Sequence, residues 1–311
     1  MGVYTSGGFI TGYVPTTEKY NEITDTWAQK TDLNTARGTL AGFSLGGYGY
    51  TAGGDTGAAS KVTEKYDAVA NTWTPKQNLN TARYYITGFT LNGYGYTAGG
   101  RLQSGANSLV VEKYDDTANT WTPKQNLNTA RRDLSGFSLN SYGYTAGGYI
   151  DFSYSAVVEK YDDTANTWTP KQSLNTARQG LAGFSLNSYG YTAGGYKSPR
   201  SNVTEKYDDV ANIWTPKANL NTARDGLAGV SLNSYGYTAG GNTGTFSKVT
   251  EKYDDVANTW ALKADSITAR TYITGFALDD PTTKVVGLST FRSTGASVSG
   301  GIACGRGKKR R

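Results

Sequence analysis

An arginine recurs at Arg37, Arg83, Arg131, Arg178, Arg224 and Arg270, each ten residues after a tryptophan at Trp27, Trp73, Trp121, Trp168, Trp214 or Trp260. A guanidinium offers five donors and is never neutralised, so six of them on one ring can draw in an anion. The same chemistry permits a structural outcome, a ladder satisfied by carboxylates and carbonyls of adjacent strands. Carboxylates are the second resource. Asp133 and Asp225 follow two of these arginines closely, where a carboxylate could act as an acid or base, or hold Ca²⁺. No spacing sets that pair at a known distance. The third resource is aromatic and cationic: Tyr84, Arg101, Arg132, Tyr149, Phe152, Tyr154, Tyr196, Lys197 and Arg200 stand where repeated segments differ. Aromatic and Arg residues anchor interfaces, and flat rings suit sugars and single-stranded bases.

Absent residues narrow the chemistry further. The chain has no His and a single Cys, Cys304. Ser-His-Asp and Cys-His nucleophiles, His-ligated metals and imidazole pH switching are therefore excluded. One thiol can form neither an internal disulfide nor a Cys metal cluster. The Gly-rich stretches lack the Gly-Lys-Ser/Thr of a phosphate loop. The sequence thus assigns no catalytic residue, no metal and no cofactor, and a non-enzymatic protein is the expectation.

The 31 Lys and Arg exceed the 25 Asp and Glu, but the excess is local. Every acidic residue lies at or before Asp280, and seven basic residues follow it, which leaves the first 280 residues at −1. A Gly/Ser-rich basic tail, 281–311, is expected to be extended or partly disordered, and any nucleic acid or anionic surface would be met only there. No apolar run reaches the roughly 18 residues of a membrane span. The N-terminus lacks the features of a secretory signal, so a cytoplasmic or virion-associated place is expected.

What must position these side chains is a repeat. Glu-Lys-Tyr ends at Tyr20, Tyr66, Tyr114, Tyr161, Tyr207 and Tyr253, and a Gly-Gly pair precedes each copy. Inside one unit, Leu181 to Leu186, Tyr189 to Ala193, Val203 to Tyr207 and Ala211 to Thr215 read as four short strands. Six such units describe an all-β propeller over residues 1–280. The N-terminal residues 2–6 match the second strand of other units, so they should pair with Arg270 to Leu278 and close the ring. The competing strand for that place is Lys284 to Leu288. A glycine five residues after each Arg marks close backbone approach near the axis.

Copies within one chain can be compared directly. With strands lettered a to d from the axis outwards, the a–b and c–d turns hardly change, whereas the b–c loops share almost nothing. The two positions after each repeated Arg vary too, as in Tyr84-Tyr85, Arg132-Asp133, Gln179-Gly180 and Asp225-Gly226. In an up-and-down blade, b–c and d–a connections share one face, so variation concentrates there. Loops on a rigid scaffold are the usual place for binding. Drift of unselected loops is the plainer explanation.

Gly-Gly, a Tyr, a Trp seven residues on, and Leu-x-x-x-Arg before an apolar strand together resemble the kelch repeat, and the likeness spans about residues 2–279. That resemblance implies six four-stranded blades. In some kelch propellers the equivalent Arg helps line a pocket for acidic peptides. Copper-radical oxidases and iron-dependent specifier proteins with kelch propellers need His, which this chain lacks. The resemblance therefore points to a non-catalytic module that binds or bridges a protein or glycan through its variable face. Neighbouring subunits of an assembly, such as a phage or virus particle or a surface adhesin, are one form of partner. An intracellular adaptor for acidic peptides and a His-independent lyase or isomerase are the alternatives.

Overall fold

The computed structural model describes residues 1–279. The tail over 281–311, with Cys304 and the competing strand Lys284 to Leu288, lies outside the described residues.

The fifth unit shows how the residues make a blade. Its strands are Ala182–Leu186, Tyr189–Ala193, Thr204–Asp208 and Ile213–Lys217. In strand a, Ala182, Phe184 and Leu186 are buried on one face, the period-2 signature of a strand. Asn187 and Ser188 join strands a and b with φ of 49° and 65°. Two left-handed residues twist the chain in the sense a tight hairpin needs. At the c–d turn, Asp208 Oδ1 accepts the N–H groups of Val210 and Ala211 at 2.9 and 3.0 Å, and Asn212 is left-handed at 55°. This turn consumes Ala211 and Asn212, so the fourth strand begins two residues later than the sequence suggests.

Six four-stranded antiparallel sheets repeat this plan. Blade 1 takes strand a, Thr274–Leu278, from the end of the described chain and strand b, Gly2–Ser6, from its start. They pair from Gly2↔Leu278 to Ser6↔Thr274, so the N-terminal strand closes the ring. Blades 2 to 6 follow in chain order.

Aromatic rings fill the seams between blades. Tyr66 lies 5.0 Å from Trp73 of its own blade, and Trp73 lies 6.0 Å from Phe276 of the preceding one. The indole N–H is not stranded, because Trp73, Trp121 and Trp168 donate to Thr31, Gln77 and Gln125 carbonyls of the preceding blade, each at 3.0 Å. Burying one such ring contributes about 1.5–3 kcal/mol.

At the axis the inner strands nearly touch. A Cβ added at Gly88 would lie 2.9 Å from the Gly42 carbonyl, which is why this position needs glycine. Two residues further along strand a, hydroxyls bind the strands into a belt. Ser44 Oγ donates to the Ala277 carbonyl at 2.7 Å, and Ser185 and Ser231 donate to the Ser138 and Ser185 carbonyls at 2.6 Å. Thr90 to Ser44 and Ser138 to Thr90 are the remaining steps.

Candidate functional site: the channel mouth and its rim

The repeated arginines are not at the mouth. Arg37, Arg83, Arg131, Arg178 and Arg224 are fully buried and Arg270 is 1 % exposed. Arg83 is typical: Nη1 donates to the Gly99 and Val110 carbonyls at 2.8 and 2.7 Å, and Nη2 to Thr97 Oγ1 at 2.9 Å and Glu112 Oε1 at 3.0 Å. Each guanidinium is a spoke that fastens the start of strand a to strands b and c of its own blade. The expectation of a ring lining the mouth is thereby corrected: these guanidinium groups lie inside the blades, where carbonyls, a hydroxyl and a carboxylate engage them.

The mouth is made instead by the second residue after each Arg: Thr39, Tyr85, Asp133, Gly180, Gly226 and Tyr272. All six are left-handed, with φ between 53° and 63°. Glycine adopts this conformation freely, while other residues lose roughly 1–2 kcal/mol. Two blades use glycine; four keep a side chain in spite of that cost. The backbone holds them in a circumferential belt. Thr39 N–H donates to the Tyr272 carbonyl, Asp133 to Tyr85, Gly180 to Asp133, Gly226 to Gly180 and Tyr272 to Gly226, all at 2.8–2.9 Å.

The side chains divide the mouth in two. Tyr85 and Tyr272 come from blades 3 and 1, yet their rings meet edge-on at 5.4 Å, spanning the blade that carries Thr39. Opposite them, the Asp133 carboxylate lies over Gly180: a Cβ added there would be 3.3 Å from Oδ2. Beneath is a cavity of about 120 Å³ lined by all six mouth residues and by strand a residues such as Ser135. Protein surrounds Asp133, though the channel gives it partial solvent access. Burial raises its carboxyl to about 7; Asp225 adds repulsion and Arg132 partly offsets it. Burial, with Asp133 nearby, pushes the Tyr85 phenol up to about 12.

Around the mouth, the first residue after each Arg bridges to the start of a b–c loop: Tyr84 to Arg101, Arg132 to Tyr149, Gln179 to Tyr196 and Asp225 to Asn242. The d–a and b–c connections therefore share one face. From blade 4 to blade 6 the rim side chains interlock. Arg132 lies 4.5 Å from the Tyr149 ring centre, Tyr149 lies 5.8 Å from Tyr154, and Tyr154 lies 5.8 Å from Tyr196. Arg200 stands 5.6 Å from the Tyr196 ring, and its Nε binds Asp225 at 2.6 Å. In blade 3, Arg101 lies 5.9 Å from the Tyr84 ring. Phe152 and Lys197 are apart from this arc, on exposed loop tips, with Phe152 95 % exposed.

The two carboxylates have separate settings. Asp225 is on the rim in an ion pair with Arg200, whereas Asp133 lies inside the mouth. Among the described residues, no three His, Cys, Asp or Glu are grouped to hold a metal ion. Sequence reasoning singled out Asp133 and the rim arc but missed Thr39 and Tyr272. The available signal was their place two residues after a repeated Arg.

The opposite face repeats itself. Asp67, Asp115, Asp162, Asp208 and Asp254 each cap a c–d turn by accepting two backbone N–H groups. Lys65, Lys113, Lys160 and Lys206 each bridge to an aspartate of the next blade, at 2.7–3.0 Å.

Among solved structures, the chain resembles that of YjhT, with a TM-score of 0.68 and 14 % identity over 84 % of this chain and 97 % of that one. At that identity the likeness speaks for the six-bladed propeller fold alone. No family model and no curated protein matches the sequence.

Proposed function

We propose that the protein is a kelch-type propeller acting as a non-catalytic binding module, which holds a macromolecular partner on its mouth face. One observation carries this reading: the interlocked arc Arg132–Tyr149–Tyr154–Tyr196–Arg200 occupies the variable face, while the opposite face repeats one solution. Rings and guanidinium groups pre-set against one another lose little freedom on binding, the property of an interface anchor. Drift alone would not favour rings that pack from one blade to the next. Charge gives no preference for an acidic partner, since Arg101, Arg132, Lys197 and Arg200 share these loops with Asp55, Asp133, Asp151 and Asp225. The binding module is compatible with a subunit of a larger assembly whose partner is a neighbouring polypeptide.

The test compares two variants in capture of a partner from the native particle or cell. Tyr149→Ala/Tyr154→Ala/Tyr196→Ala should abolish capture at fixed stoichiometry while melting normally. Val210→Ser/Val256→Ser, on exposed c–d turns, should leave it intact. Capture lost in the second variant and kept in the first would overturn the assignment of the face.

A further inference from the structure

The mouth contains a carboxylate that the protein leaves unanswered. Asp133 accepts no side-chain or backbone hydrogen bond among the described residues, and the ring around it supplies no cation. Arg132, its neighbour, is engaged elsewhere: Nη1 donates to Asn107 Oδ1 at 3.0 Å and the guanidinium lies over Tyr149. Two residues deeper on the same blade, Ser135 is 3 % exposed, lines the cavity, and its Oγ has no partner. A buried hydroxyl without a partner is costly to the fold, and the half-buried carboxylate above it has acceptor oxygens that no protein donor uses, so a ligand with several donors can satisfy both. Tyr85 and Tyr272 form the facing wall, and aromatic rings attract a cation.

We infer that this cavity is a subsite for a primary alkylammonium group, presented by the partner that the rim holds. An ammonium has three donors and no acceptor, pointing in tetrahedral directions. The acceptors here are at different depths, Asp133 at the mouth and Ser135 below it, which suits a tetrahedral head better than a planar guanidinium. Size agrees: a cavity of about 150 Å³ admits benzene, and this one, of about 120 Å³, takes the end of a side chain and no folded element. A side chain at Gly180 would press on the Asp133 carboxylate and one at Gly226 on the Tyr272 ring, so the two glycines leave both groups unobstructed. Three of the four strained residues, Tyr85, Asp133 and Tyr272, acquire a purpose, since they supply the carboxylate and the aromatic wall.

The inference rests on the mouth face being the binding face, and the two can fail separately. The experiment titrates the full chain with N-acetyl-lysine methylamide, its Nε-acetyl form, butylammonium, spermidine and methylguanidinium, read by ligand-observed NMR. Asp133→Gly is the informative variant, because Gly180 and Gly226 occupy the same left-handed position and the backbone accepts it. The lysine amide should bind, and either Nε-acetylation or Asp133→Gly should weaken it by about tenfold or more. Tighter binding of the lysine amide than of butylammonium assigns the group to a polypeptide side chain; tighter binding of spermidine assigns it to a free polyamine. Equal affinity of the acetylated probe, unchanged affinity in Asp133→Gly, or preference for methylguanidinium would overturn the subsite. The rim triple variant should retain lysine-amide binding, so loss of capture with probe binding intact locates a failure in the rim alone.

Discussion

At five seams a phenylalanine of one blade lies on a glycine of the next: Phe276 on Gly49, Phe43 on Gly95, Phe89 on Gly143, Phe137 on Gly190 and Phe184 on Gly236. A Cβ at each glycine would come within 2.2–2.4 Å of the ring. At the sixth seam, between blades 6 and 1, the pair is Val230 and Val3, buried in one cluster. The large-on-nothing arrangement has become medium-on-medium. Other layers of this seam change too. Asn34, Asn80, Asn128, Asn175 and Asn221 each donate Nδ2 to the carbonyl of a tryptophan in the next blade at 3.0–3.2 Å, but Ile267 takes that place before blade 1. The hydroxyl belt stops at Ala277, which has no hydroxyl to donate to the Ser231 carbonyl. Within blade 1 itself, Arg270 approaches Glu18 at 3.5 Å, against 2.8–3.0 Å for the other five pairs. Some compensation exists, since Glu22 binds Lys252 at 2.6 Å and Asn233 at 2.8 Å. The difference teaches that copied blades share a packing solution, and that blade 1, built from two chain segments, and its seam with blade 6 are assembled from weaker parts.

The largest effect should come from breaking a buried ion pair on each side of this comparison. Glu205→Leu leaves Arg178 uncompensated in blade 5, and urea unfolding should show a loss of about 3–5 kcal/mol. Glu18→Leu in blade 1 should lose visibly less; equal losses would end the distinction between the blades. Next is the valine exchange. Val230→Phe alone should be overpacked against Val3 and lose about 1–3 kcal/mol. Val3→Gly in the same chain should recover much of that, with a coupling energy of about 0.5–3 kcal/mol in a double-mutant cycle. Strict additivity would show that the two sites do not trade volume. Smallest is repair of the seam: Ile267→Asn and Ala277→Ser should each raise stability by about 0.5–1.5 kcal/mol, the net worth of one hydrogen bond. A melting temperature unchanged in both would mean that the missing bonds are not what weakens this seam.

The fold was legible because six copies average away local ambiguity: a strand read poorly in one unit is read again in five. Closure by residues 2–6 followed from their likeness to strand b. The offset of the fourth strand was not legible, since Asp208 and Asn212 act through backbone geometry that composition does not encode. The arginines mark a deeper limit. A residue identical in every blade announces that each blade needs it, yet periodicity places only its Cα; the spoke direction depends on Gly and Val carbonyls far along the chain. At the mouth, Asp133 could be noticed because it differs from its counterparts. The meeting of Tyr85 with Tyr272 could not, because those blades are not neighbours and the contact exists only once the ring is closed.

One consequence follows from the pairing of Gly2 with Leu278. In every other blade two residues link strand a to strand b, as Gly46-Gly47 link Leu45 to Tyr48. Asp279 and Met1 stand where that two-residue link would be. Topologically the propeller is a circle with a single nick at an a–b turn. Sealing that nick and opening Asn187-Ser188 would give a permuted chain in which strands a and b of blade 1 are joined by a covalent turn. The two chain segments of blade 1 would then be held together without altering the mouth, because every a–b turn lies on the opposite face.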